Sequence, residues 1–277
     1  MSAWLSVRRG EAPLIVSLPH TGTFIPPEIE KDLASPWLAR KDTDWGVDKL
    51  YNFAADLGAT LVRTAVSRTV IDVNRDPLGA SLYPGQATTA LCPTTSFDGE
   101  ALYREGLEPS GREIARRRQL YFDPYHSALR QEISRLRRMH AQIVLYDAHA
   151  IRSTIPRLFN GTLPNLNIGT DNGRTAAAAL VRGIETHCVK SNFTFVTDGR
   201  FRGGWTTRHY GDPAHGIHTI QMELACRSYM EEPARVNKDN WPPALIGEAQ
   251  ADELRALLKE ILTTCISFAG SLRHEPL

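Results

Sequence analysis

The stretch Gln142-Ile-Val-Leu-Tyr-Asp147-Ala-His149 decides the fold, because an apolar run leads directly into an aspartate and a histidine. A short continuous apolar run reads as a strand buried on both faces, as in a sheet covered by helices. Leu14-Ile-Val-Ser-Leu-Pro-His20-Thr-Gly22 has the same form, a buried strand leading to a histidine and a glycine turn. Further runs at residues 60–64, 69–73, 192–196 and 217–224 read as strands, with the first stretch giving a strand over 142–146. Between them lie helical patterns. Val47, Leu50, Tyr51, Ala54 and Leu57 repeat at helical spacing over residues 44–57. Tyr125, Leu129, Ile133, Leu136 and Met139 do so over 124–139, with Asp123 as cap and Pro124 opening the helix. Residues 171–189 and 248–266 complete the helices. Strands alternating with helices indicate an α/β fold, a three-layer sandwich on a mixed, mostly parallel sheet.

Composition narrows what such a fold does. The 277 residues are 42% hydrophobic and 23% charged, ordinary proportions for a globular protein, with a formal net charge of +1. No global field recruits nucleic acid or an anionic membrane, so anion binding must come from local arginines. The arginine-rich stretches 116–118 and 135–138, interleaved with Glu113 and Glu132, read as solvated helix faces. Cys92, Cys188, Cys226 and Cys265 are scattered, which argues against a disulfide framework or a cysteine zinc site. Nothing resembles a signal peptide or a membrane span, so a cytoplasmic location is expected. Residues 77–99 form a long loop of Pro, Gly, Thr and Ser, the kind that is often functional. No repeat or linker divides the chain, and a single domain over residues 1–277 is the reading.

The polar residues able to do chemistry stand where strands end, and in open α/β sheets the ligand crevice lies beyond those carboxyl ends. His20 and His149 occupy the same topological position, so they can converge on a metal; a capping or core role is the plain alternative for either one alone. Asp42 and Asp44, in Lys41-Asp42-Thr-Asp44-Trp, offer a third ligand or cap the helix that follows. Glu223 interrupts the apolar strand Thr219-Ile-Gln-Met-Glu223-Leu-Ala. Desolvated there, it suits a general base, or else it forms a buried ion pair with an arginine. Asn74 and Arg75 follow residues 69–73, and Arg208 and His209 sit in a glycine-flanked loop before the Glu223 strand. Arginine suits bidentate carboxylate recognition, although a surface ion pair explains either one singly.

These segments together carry a resemblance. Ser17-Leu-Pro-His20-Thr-Gly22, Asp42-Thr-Asp44-Trp, Ser67-Arg-Thr-Val-Ile-Asp72-Val-Asn74-Arg75-Asp-Pro77, Tyr146-Asp147-Ala-His149 and Thr207-Arg208-His209-Tyr210-Gly211 resemble the N-formylglutamate amidohydrolase family over about residues 13–230. The family is similar in fold to zinc carboxypeptidases. Asp72-Val-Asn74-Arg75 is similar to their substrate-carboxylate motif, Gln221-Met-Glu223-Leu to the strand bearing their catalytic glutamate, and His149 to their last metal-binding histidine. Carboxypeptidases have His-x-x-Glu at the first ligand motif, whereas Thr23 stands three residues after His20, so the third ligand comes from elsewhere. Asp44 is the choice, with Asp42 second.

The resemblance implies metal-dependent hydrolysis of N-formyl-L-glutamate to formate and L-glutamate, in histidine degradation. His20, Asp44 and His149 would bind a divalent metal, zinc by the resemblance, and Glu223 would be base and then acid. Asn74, Arg75 and Arg208 would hold the substrate's carboxylates, with His209 an oxyanion or carboxylate contact and Asp147 the partner of His149. The alternatives are a related N-acyl amino acid deacylase and a non-catalytic amino-acid binding protein. Oligomeric state is left open.

Overall fold

The computed structural model describes residues 4–80, 85, 88–243 and 248–271, with the side chains of 248–250 left aside. Part of the loop expected over 77–99 therefore lies outside the described residues. Seven strands make one sheet: β1 (Leu5–Arg8), β2 (Leu14–Leu18), β3 (Thr60–Thr64), β4 (Ile143–Ile151), β5 (Leu166–Gly169), β6 (Phe195–Thr197) and β7 (Ile217–Ala225). Their spatial order is β1-β3-β2-β4-β7-β5-β6. The pairs β2–β3, β2–β4, β4–β7 and β5–β6 are parallel, while β1–β3 and β5–β7 are antiparallel. The sheet is mixed and mostly parallel, as the strand and helix pattern implies.

The helices are α1 (Pro27–Glu30), α2 (Val47–Leu50), α3 (Gly111–Arg117), α4 (Asp123–Arg137), α5 (Ala178–Lys190), α6 (Trp205–Tyr210) and α7 (Glu248–Gly270). Alternation along each strand sorts side chains onto two faces. Leu14, Val16, Val144, Tyr146 and Met222 join α5 and α7 in one core; Ile15, Ile143 and Leu145 join α4, through Tyr125, Leu129 and Leu136, in the other. The sheet is thus the middle of three layers. All four cysteines are buried and free. Among the described residues, no helix is long and apolar enough to cross a membrane.

Local readings need correction at several points; the helix expected over 171–189 runs only Ala178–Lys190, and the strand expected over 192–196 is Phe195–Thr197. Residues 69–73 form turns, because the Ser67 hydroxyl accepts from the Thr69 amide and Val70 bonds back to Ser67. Their apolar side chains are buried all the same. The helix expected over 44–57 is broken: Gly46 at φ 75° delays its start to Val47, and a 3-10 turn over Asn52–Ala55 replaces its second half. The helix expected at Pro124 begins earlier, at Gly111, with the Ser110 hydroxyl as its cap. A wide π turn, Arg118–Phe122, carries the chain into Asp123, which is helical and caps nothing. Proline clashes with the carbonyl four residues before it, and the wider turn relieves that contact. Strand β4, finally, runs on past residue 146 to Ile151.

Two strands carried too little sequence signal to be read. β1 is a four-residue edge strand, and β5 contains Asn167, whose amide donates to the Glu223 and Pro164 carbonyls.

Candidate active site

Because β4 continues to Ile151, Asp147 and His149 lie inside the strand, two residues apart and on the same face. That face also carries Ser17 of β2 and Glu223 of β7, the register partners of Asp147 and His149 respectively. His20 leaves the end of β2 through Pro19, and Gly22 lets the chain close on the segment after β3. A Cβ on Gly22 would lie 2.5 Å from the Val66 carbonyl oxygen. The Asp44 amide donates to the His20 carbonyl at 3.0 Å, which draws the Asp44 side chain inward.

Three side chains meet at this point. The Nδ1 atoms of His20 and His149 are 3.2 Å apart, and Asp44 Oδ2 is 3.3 Å from the His149 nitrogen and 3.7 Å from that of His20. Among the described residues, this is the one group of three His, Cys, Asp or Glu side chains whose ligand atoms gather closely enough to hold a metal ion. All three residues are buried.

The far side of each ring fixes its orientation. His20 Nε2 lies 2.7 Å from Asp72 Oδ1, and His149 Nε2 lies 2.8 Å from Asp147 Oδ2. A carboxylate only accepts, so both Nε2 atoms carry the proton and both Nδ1 atoms are turned toward Asp44. Asp44 is buried, both of its oxygens lack a hydrogen-bond partner, and Arg68 Nη1 stands off at 3.7 Å from Oδ1. Leaving a carboxylate in that state is strongly unfavourable unless a cation offsets it. Ligands about 2.0–2.2 Å from a tetrahedral ion lie roughly 3.3–3.6 Å apart. The spacing of the three atoms and the orphaned carboxylate therefore fit a divalent ion with an N₂O donor set.

Charges around the cluster are balanced in layers. Burial opposes ionisation of Asp72, but Arg75, His20 and Arg68 outweigh it and hold its carboxyl well below the usual range. Burial, with Arg68 adding to it, lowers His20. Burial would lower His149 too, but the carboxylates of Asp147 and Asp44 carry it well above its ordinary value.

Glu223 stands beside His149. Burial, with the Asp44 charge adding to it and His149 opposing, pushes its carboxyl up to about 7. Its Oε2 accepts from Gln221 Nε2 at 2.9 Å, and the Gly204 amide donates to Gln221 Oε1, which sets the amide's orientation. Gly204 also packs against Asn74, where a Cβ would fall 2.4 Å from Nδ2. A glycine is required at that contact.

These groups open on a cavity of about 310 Å³ lined by His20, His149, Glu223, Arg68, Arg75 and Arg200, among others. Phe97, Leu158 and Phe201 give it apolar walls. Arg75 is held by the Thr89 carbonyl and hydroxyl and by the Asn74 carbonyl.

The structure brings together His20, Asp44, Asp147, His149, Glu223, Asn74 and Arg75 and leaves out Asp42, Arg208 and His209. Asp42 accepts from the Phe97 amide at 2.7 Å and pairs with Arg152, away from the histidines. Asn74 is in place but occupied: its Oδ1 accepts from the Thr206 amide and its Nδ2 donates to Asp147. Arg208 turns to the Gly203 carbonyl and Asp171, and His209 stacks on Trp205 at 4.1 Å. Neither lines the cavity, because both lie on α6, one short helix whose buried side anchors the site while these two side chains turn elsewhere. Sequence reasoning assigned no role to Arg68, Asp72 or Arg200. For Asp72 and Arg68 the signal was present, as charged residues four apart in an otherwise apolar segment.

The fold is a three-layer α/β sandwich with a buried His–Asp–His cluster at the ends of its parallel strands. More particularly, the chain belongs to the N-formylglutamate amidohydrolase family, whose description matches residues 12–230. It is 41% identical to the N-formylglutamate deformylase of Pseudomonas putida over 276 residues, 99% of this chain and 100% of that protein. It is 39% identical to the N-formylglutamate deformylase of Pseudomonas aeruginosa, covering 97% and 98% of the two chains. The crystal structure of N-formylglutamate amidohydrolase from Ralstonia eutropha JMP134 has the same fold, with a TM-score of 0.77 at 22% identity over 96% of this chain and 98% of that one.

Proposed function

We propose that this chain is a single-domain, zinc-dependent hydrolase that cleaves N-formyl-L-glutamate to formate and L-glutamate, a step of histidine degradation. The observation that carries the reading is the buried His20–Asp44–His149 cluster, with an orphaned carboxylate and with Glu223 beside it at the floor of an arginine-lined cavity. The names of its relatives supply the substrate.

His20, Asp44 and His149 would hold a divalent ion, which would supply Lewis-acid polarisation of the formyl carbonyl and of the attacking water. Glu223 takes a proton from that water as its oxygen bonds to the formyl carbon. When the carbon–nitrogen bond breaks, Glu223 returns the proton to the departing amine. Burial raises this carboxyl from its ordinary value, which suits a group that takes a proton and then returns it. Gln221 holds Oε2 and leaves Oε1 for the water.

Arg75, fixed by Thr89, is placed to hold the α-carboxylate, while Asn74 keeps Asp147 and the Gly204 turn in position. With Arg208 directed at Asp171, Arg200 takes the role of gripping the side-chain carboxylate, from the wall that it shares with Leu158 and Phe201. Fixing both carboxylates presents the formyl group to the water in one orientation, which makes attack effectively intramolecular.

The test is formate release from N-formylglutamate by purified protein, stripped with a chelator and then reconstituted with zinc. Activity should disappear and return with about one zinc per chain. Undiminished activity in fully stripped protein would remove the metal from the mechanism.

A further inference from the structure

The partner of His149 is itself held, by a chain of hydroxyls that reaches the outer layer of the fold. Asp147 Oδ1 lies 2.7 Å from the Ser17 hydroxyl, and that hydroxyl lies 2.8 Å from the hydroxyl of Tyr125 on α4. Ser17, Tyr125 and Asp147 are all completely buried, so no solvent competes for these bonds. The direction of every bond follows from the carboxylate. Asp147 only accepts, so Ser17 must donate to it; the Ser17 oxygen is then an acceptor, and Tyr125 donates. On the other oxygen, Asp147 Oδ2 accepts from both Asn74 Nδ2 and His149 Nε2. These two donors sit 3.1 Å apart on one acceptor.

We propose that Ser17 and Tyr125 are positioning residues of the metal centre: their hydroxyls, in series, orient the Asp147 carboxylate and through it aim His149 Nδ1 at Asp44 and His20. The sheet register makes this chain possible, since Ser17 and Asp147 are direct partners on adjacent parallel strands. Without the serine, Asp147 Oδ1 is a buried acceptor with no donor, and its carboxylate is free to rotate away from the ring. The inference rests on His149 being a metal ligand, so its test includes a readout that needs no metal.

The experiment compares Ser17→Ala and Tyr125→Phe with Tyr51→Phe. The last breaks the buried Tyr51–Tyr146 hydroxyl pair, which lies in the opposite core. Zinc affinity is measured by competition with a chromophoric chelator. Ser17→Ala should weaken it by about 10–100-fold, the usual scale for losing an outer partner of a metal ligand. Tyr125→Phe should weaken it less, and Tyr51→Phe should leave it unchanged. In metal-free protein, the His149 Nε2 proton should give a downfield, slowly exchanging NMR resonance that broadens or vanishes in Ser17→Ala. Wild-type affinity in both hydroxyl variants, or an equal loss in Tyr51→Phe, overturns the proposal. If wild-type protein takes up no zinc, the ligand reading fails, and the Nε2 resonance decides the chain: its loss in Ser17→Ala supports it and its persistence rejects it.

Discussion

His149 and Glu223 are register partners on the parallel strands β4 and β7, so their side chains leave the same face of the sheet side by side. A metal ligand and a proton carrier placed this way need no loop to bring them together. The hydrogen bonds of the two strands set their separation, and helices on both faces keep water from reaching the pair except through the cavity. The same proximity ties their charges, since His149 draws the Glu223 carboxyl down while burial and Asp44 push it up.

Glu223→Gln should therefore retain zinc while lowering turnover by about 10²-fold or more, the scale expected of a positioned acid–base group. Steady-state formate release and metal content, measured on the same preparation, check this. Turnover close to wild type would transfer the proton to another group.

Asp44→Asn should lose most zinc, because it removes the one negative charge among the three proposed ligands. Stripping the wild-type protein should also lower its melting temperature. Free zinc at 100 times its dissociation constant stabilises a folded state by about 2.7 kcal/mol. A melting temperature indifferent to zinc from sub-stoichiometric amounts to large excess would contradict a site on these residues.

Arg200→Ala should cut activity on N-formylglutamate much more than on N-formylalanine, since only the former carries a side-chain carboxylate. Arg75→Ala should impair both substrates together. Arg208→Ala, away from the cavity, should leave the ratio between them unchanged. Specificity constants for the two substrates with each variant settle the assignment, and a selective loss in Arg208→Ala would restore that residue to the site.

His126 gives a pH prediction for stability. It is packed against Phe122, Trp205 and Tyr210, bonds to the Val73 carbonyl at 2.7 Å, and is lowered to about 3 chiefly by burial, against an ordinary value of 6.5. The folded protein keeps this ring neutral where the unfolded chain protonates it. Its contribution is thus intact above pH 6.5 and is lost as pH falls from there toward 3. The limiting slope is about 1.4 kcal/mol per pH unit. In urea titrations, the stability difference between wild type and His126→Gln should shrink through that window. A constant difference from neutral pH to acid would exclude His126 as a source of acid sensitivity.

Much of this was legible because it depends on local pattern. The runs 14–18 and 60–64 are strands β2 and β3 residue for residue, the first nearly continuous in apolar character and the second rich in β-branched residues with alternating burial. His20 and His149 stood out as polar residues at the ends of such runs, and alternation alone put Asp147 on the side of His149. Residues 69–73 looked equally like a strand. Their side chains are buried as a strand's would be, yet the backbone turns so that Asp72 and Arg68 face the cluster.

The sequence by itself determined the layered α/β architecture and the segments that supply the histidines, the aspartate and the glutamate. Periodicity and strand-end polarity are properties of a few consecutive residues, and they survive without knowledge of neighbours. Tertiary structure alone decided which carboxylate joins the histidines, because Asp42 and Asp44 differ only in what surrounds them. One accepts from the Phe97 amide and pairs with Arg152, whereas the other faces two imidazoles, with Arg68 at 3.7 Å and no hydrogen bond. It also decided which arginine reaches the cavity, since the direction of a long side chain is set by distant partners such as Asp171, which no local pattern encodes.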